Sequence, residues 1–327
     1  MEQLKSIHLP IEIVLNIITC SLPKSNVLLD PAHPITQLLV TFTLVCHETR
    51  KLATRYLCQH CIYLSSGPRL SSYLLTIPSR PELCNISALF LAPFGGTIDD
   101  QPTARWVREL LNYTCTTLKR LVIDIPLRSL YPEDDHLGVR DILRQGFQRL
   151  QNLEEFVSVQ DELYLSVQDR FDTNNNERAF WRNFPKLKRL AVYNPMIDHL
   201  FWEDVAAMSN LECLVLTRAD GLRDRNGSNF KTEYFHHCDR PLKVLLINTE
   251  SHQVRYGNMR RHRWDEVDPE KKMTIMTYSI PLLFDDDHIA VCQDYVKIGA
   301  QYGTLWDWEG EIIQHRPSFV QQVPSGA

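Results

Sequence analysis

Six short apolar strings of nearly one form recur along the chain, and they constrain its fold more than any other feature. They are "ISALFL" from Ile86, "LKRLVI" from Leu118, "LEEFVS" from Leu153, "LKRLAV" from Leu187, "LECLVL" from Leu211 and "LKVLLI" from Leu242. Their anchors are separated by 32, 35, 34, 24 and 31 residues. Between them lie stretches with helical apolar spacing: "TARWVRELLNYT", "GVRDILRQGFQRL", "ERAFWRNF" and "HLFWEDVAAM". A unit of one short strand and one helix buries its apolar face only against its neighbours, so recurrence implies stacking.

Two architectures fit such a series. One is a leucine-rich-repeat-like solenoid; the other is a βαβ-type α/β domain with a parallel sheet. The leucine spacing inside the strings recurs, and not only the alternation, which favours the solenoid. The tail from "MTIMTYSIP" to "LWDWEGEII" reads as strand, loop, helix and aromatic close. Asp285 to Asp287 precede Ile289, Cys292, Tyr295 and Val296 as an N-capped amphipathic helix requires, and Trp306 and Trp308 are candidates for a terminal cap.

The first sixty residues follow a different rule. In "HLPIEIVLNIITCSLP", Ile11, Val14, Leu15, Ile18 and Leu22 recur at three- and four-residue spacing, with Pro10 at the helix start and Glu12 near the positive end of the dipole. Ile13 and Ile17 form a second apolar row, so the helix needs cover on two sides. The stretch Ile35 to Leu64 contains neither Gly nor Pro and divides near His47 into two more helices. Three helices of this length make a marginal core by themselves. The expected organisation is an α+β / α/β chain: a helical module over 1–65, a linker over 66–85, the repeat domain with its terminal unit over 86–310, and a tail over 311–327.

Composition narrows the function. The chain of 327 residues is 44% hydrophobic and 23% charged, the balance of an ordered protein. Its formal net charge of −5 gives no support to a phosphate-binding surface, so nucleic acid is not an expected partner. No run approaches the roughly 20 apolar residues of a membrane span. The nine cysteines have no regular spacing and follow no export signal, which points to free thiols and a cytoplasmic or nuclear protein.

The segment "LPIEIVLNIITCSLP" followed by "LLVTFTLVCHETRKLA" resembles an F-box over residues 8 to 64, of the type found in filamentous fungi. It has the Leu-Pro start, Glu two residues later, a first helix ending in Leu-Pro, and a Leu-Val-Cys entry to a basic last helix. An insertion over residues 24 to 34 and Thr49, at a position usually aromatic, depart from the pattern. The resemblance implies docking on a Skp-family adaptor, which bridges to a cullin carrying a RING subunit. By position, Leu9, Pro10, Ile13, Ile17, Leu44, Val45 and Cys46 would supply the contacts; each is equally consistent with a plain core residue. The chain would then be a non-catalytic substrate receptor for ubiquitin ligation, or alternatively a repeat scaffold whose F-box acts outside a ligase.

Candidate target-binding residues come from the repeats. Two places after four of the anchors stand Arg120, Arg189, Cys213 and Val244, preceded by Lys119, Lys188, Glu212 and Lys243. On an open strand face these would form a positive strip suited to an acidic or phosphorylated segment, or would merely keep a sheet edge in solution. Catalytic patterns are not evident. Cys58 and Cys61 form an isolated CxxC inside a helical run, where zinc needs four ligands. "LRDRNGSNFKTE" matches a calcium loop at Asp224, Asn226, Gly227 and Glu233, but Leu222 takes the first ligand position. No cofactor, metal or catalytic residue is expected.

Overall fold

The computed structural model describes residues 9–23, 27–167, 177–223, 229–252, 264–283 and 286–313. Asp285, Asp224, Asn226, Gly227 and the last fourteen positions of the expected tail lie outside the described residues.

Three helices come first: α1 (Ile11–Cys20), α2 (Pro34–Phe42) and α3 (His47–His60). The division at His47 is where it was expected. Pro10 sits one position earlier than expected, as the N-cap of α1, its carbonyl accepting from the Ile13 and Val14 amides. Thereafter strands and helices alternate: β1 (Tyr63–Leu64), α4 (Gly67–Thr76), β2 (Ala88–Leu91), α5 (Gln101–Thr114), β3 (Arg120–Ile123), α6 (Val139–Phe147) and β4 (Glu155–Ser158). They continue with β5 (Arg189–Tyr193), α7 (His199–Ala207), β6 (Cys213–Thr217), α8 (Phe230–His237), β7 (Leu242–Thr249), α9 (Trp264–Val267) and β8 (Met273–Ile280). The last elements are α10 (His288–Gln301) and β9 (Glu311–Ile312).

All nine strands among the described residues belong to one sheet whose spatial order is the chain order, β1 to β9. Pairs from β1 to β8 are parallel, and β9 returns antiparallel against β8. The fold is therefore mixed α/β with a mostly parallel sheet, and its strand order never reverses. The six leucine strings become β2 to β7, with the strand starting two residues after the anchor in all but the last. In-register pairs such as Leu121↔Phe156 and Leu190↔Leu214 carry the repeat into space.

Alternation along the strands separates two buried layers. Leu89, Leu91, Leu121, Ile123, Leu190, Val192, Leu214, Leu216, Val244 and Leu246 pack with the inner faces of α5 to α9. Phe90, Val122, Val157, Ala191, Val215 and Leu245 point the other way and meet Cys292, Val296 and Ala300 of α10, together with Leu305 and Trp306. The sheet is thus covered on both faces, as parallel sheets with near-continuous apolar strands require. This corrects the expectation of an open strand face. Trp306 covers that face rather than the end of the array, and the end is occupied by β9.

Three further differences have local causes. The expected linker over 66–85 is helix α4 followed by two short 3₁₀ turns, with Ser66 capping the Arg69 amide, Leu70 buried in the core of the array and Ile77 buried as well. "ERAFWRNF" forms one 3₁₀ turn, Phe180–Asn183, with Trp181 and Phe184 buried. Residues 27–30, within the F-box-like insertion, tie the two regions together: the Leu28 amide donates to Gln301 O at 2.7 Å and the Leu29 amide to His60 O at 2.6 Å.

The loops after β3 and β4 are fixed by two buried charges. Arg140 donates to the carbonyls of Leu127, Leu130, Tyr164 and Ser166. Asp161 accepts from the amides of Leu127, Leu163 and Tyr164, which holds Leu163 at φ 60°.

Candidate partner-binding surface

The core of the N-terminal module is small. Ile18, Leu39 and Ala53 form its central buried cluster, flanked by partly buried Leu15, Leu22, Ile35, Phe42, Leu52, Tyr56 and Leu57. The inner row of α1 supplies Ile18. The second row, Ile13 and Ile17, stays 45% and 48% exposed, one helical turn apart. Leu9 and Pro10 are exposed at the helix entry.

The turn between α2 and α3 presents the second group. The Thr43 and Leu44 amides close the end of α2 by donating to Leu39 O and Thr41 O, which turns the chain outward. Leu44 is 77% and Val45 61% exposed as a result. Cys46 follows as the exposed N-cap of α3, its amide donating to the Thr49 hydroxyl at 3.1 Å. Hydrogen bonding to Thr49 holds the Cys46 thiol below its ordinary pKa. Thr49 is wholly buried in this capping arrangement, which explains a small polar residue at that position.

All seven residues considered as adaptor contacts are therefore on the surface rather than in the core. Sequence periodicity missed three more exposed apolar side chains of the same module, Ile11, Leu38 and Val40. Leu38 faces outward while adjacent Leu39 is buried in the module core.

The candidate target-binding strip does not form. Arg120 is buried beneath α10: its guanidinium donates to Ala300 O and pairs with Glu155 at 3.2 Å. Arg189 pairs with the same Glu155 at 2.7 Å, and the Trp306 indole N–H donates to its other oxygen. Lys119 and Lys188 both pair with Glu154, and the Lys243 ammonium donates to Trp306 O at 2.9 Å. Arg120, Arg189 and Lys243 thus hold strands to one another and to the segment after α10, while Lys119 and Lys188 stay exposed in surface pairs with one shared acid. Desolvation lowers the pKa of Arg120, offset in part by Glu155.

Cys58 is buried and Cys61 partly so; burial raises the Cys58 thiol to about 11, and Cys61 Sγ accepts from the Thr36 hydroxyl. Among the described residues no three His, Cys, Asp or Glu side chains converge as metal ligands would. Nor is any described helix long and apolar enough to cross a membrane.

No protein-family model matches the chain, and a search of curated proteins finds no match.

Proposed function

We propose that the protein is a substrate receptor of a Skp–cullin–RING ubiquitin ligase, with residues 9–60 as an F-box and the array as a leucine-rich-repeat-like, target-bearing body. One observation carries this reading: eight large apolar side chains, Leu9, Ile11, Ile13, Ile17, Leu38, Val40, Leu44 and Val45, are exposed on a module whose central cluster has only Ile18, Leu39 and Ala53 buried. Exposed apolar surface concentrated in this way marks a partner interface. The Skp-family adaptor would cover Leu9, Pro10, Ile13, Ile17, Leu44, Val45 and Cys46.

Function under this reading is positional. A receptor raises the local concentration of target beside the transferring enzyme, and no chemistry is required of its own residues. A rigid bridge serves that purpose better than a flexible one. The hydrogen bonds from Leu28 and Leu29, with Leu28 buried among residues of the array, supply such a bridge.

The test is capture of recombinant Skp-family adaptor, followed by cullin, on immobilised protein. Wild type should retain both; Ile13→Asp with Ile17→Asp, and Leu9→Ala with Pro10→Ala, should lose the adaptor while keeping the wild-type thermal midpoint. Adaptor retained by both variants would contradict the reading. Capture of adaptor without cullin would favour a scaffold acting outside a ligase.

A further inference from the structure

A groove of about 810 Å³ lies between α3 and the 3₁₀ turns after α4. One wall is a face of α3 that carries Arg50, Lys51, Thr54, Arg55, Cys58 and Gln59; the other carries Arg80, Glu82 and Asn85; Leu44 stands at its edge. Charge in this groove is distributed unlike charge on the sheet. On the sheet, Lys119, Arg120, Lys188 and Arg189 are paired with Glu154 or Glu155. In the groove, Arg50 donates to Thr43 O and Arg55 to the Tyr56 hydroxyl, both neutral acceptors. Among the described residues Arg50, Lys51 and Arg55 take part in no ion pair, and the single acid lining the groove, Glu82, is already bonded to Arg80. A chain of formal charge −5 thus gathers four cations against one acid in one concavity.

We propose that this groove is a docking site for an acidic peptide segment of a target protein. Lys51 and Arg55 are one helical turn apart and exposed, a spacing that meets successive carboxylates of a peptide laid along α3. Because the second wall comes from the first repeat unit, the site exists only where module and array join. Nucleic acid is the less favoured occupant: no Phe, Tyr or Trp lines the groove, so bases have no stacking platform. The proposal needs the groove and not the adaptor, so it stands apart from the ligase reading.

The experiment uses the full chain and a fluorescein-labelled peptide of sequence Glu-Glu-Leu-Glu-Glu-Leu-Glu-Glu, followed by fluorescence anisotropy. Wild type should bind it, more weakly as salt rises, and should not bind the lysine counterpart. Lys51→Glu with Arg55→Glu should weaken binding by at least about tenfold, as loss of attraction and gain of repulsion at two contacts requires. The same variant should capture adaptor as wild type does, and Ile13→Asp with Ile17→Asp should bind peptide as wild type does. Failure of adaptor capture by wild type would sink the ligase reading and leave this one standing. Unchanged peptide affinity in the groove variant, equal affinity for an oligouridylate of matching charge, or loss of adaptor capture in the groove variant would overturn the proposal.

Discussion

The N-terminal module and the strand array use similar apolar content to opposite ends. In the array, apolar residues on both faces of β2 to β8 are buried, one face by α5 to α9 and the other by α10. In the module, one row of α1 turns Ile18 into the core and the next row faces outward. The array is closed by its own chain; the module is left with surface that water covers poorly. What separates a core from an interface is therefore not how apolar a segment is but whether the same chain supplies the second side.

Breaking the array should cost stability, and the largest loss should come from the charge placed under α10. Arg120→Glu would set a carboxylate against Glu155 and strip Ala300 O of its donor, so a loss of about 3–5 kcal/mol or more is expected, as for other broken buried pairs. Urea denaturation measures it; an unchanged midpoint would mean that Arg120 is exposed after all. Leu190→Ala and Leu214→Ala remove buried neighbours of adjacent strands and should each cost roughly 2–5 kcal/mol. Equal midpoints for these variants and wild type would contradict the strand register.

A third effect depends on pH. Burial raises the Asp161 carboxyl from an ordinary value near 3.8 to about 6, against the opposing pull of the Tyr164 and Leu163 amides and of Arg128. The folded chain then holds this proton more tightly than the unfolded chain does. Its contribution to stability is complete below pH 4 and declines as pH rises to about 6, by about 3 kcal/mol over the window. Comparing the pH dependence of unfolding in wild type and Asp161→Asn isolates the contribution: the variant should lack this decline. Parallel curves would place the native carboxyl at its ordinary value.

The smallest change is expected in the module. Ile13→Ser and Ile17→Ser alter exposed positions, and each should shift stability by no more than about 0.5 kcal/mol. A loss near that of Leu190→Ala would show that the second row of α1 is core, and the contrast between the two regions would fail.

Much of this architecture is legible in the amino-acid order, and the rest is not for identifiable reasons. The leucine anchors locate β2 to β7 because strand burial repeats with them. α10 is visible as an amphipathic helix with Asp287 as its cap, and the structure has Asp287 accepting from the Ile289 amide. Periodicity says that Cys292 and Val296 face something; it does not say what. The missing signal lay in the strands. Phe90, Val122, Val157, Ala191, Val215 and Leu245 occupy positions that an open face would fill with polar residues, so a second cover was implied. Arg120 and Arg189 concealed it, because a buried cation paired across strands reads in sequence like an exposed one. The segment over 66–85 looks like a linker in sequence because Ser66 and Pro68, loop residues by composition, here form a cap and a first helical turn. For the candidate site, one-turn spacing shows that Ile13 and Ile17 share a row, whereas their exposure depends on how few residues the module has to set against them.

The most direct measurement is hydrogen exchange by mass spectrometry on the full chain, alone and with saturating recombinant Skp-family adaptor. Adaptor should protect amides in residues 9–20 and 43–47 and leave those of β2 to β8 unchanged, since that sheet is already covered by its own helices. Protection confined to the array, or none over residues 9–20 and 43–47, would contradict the account.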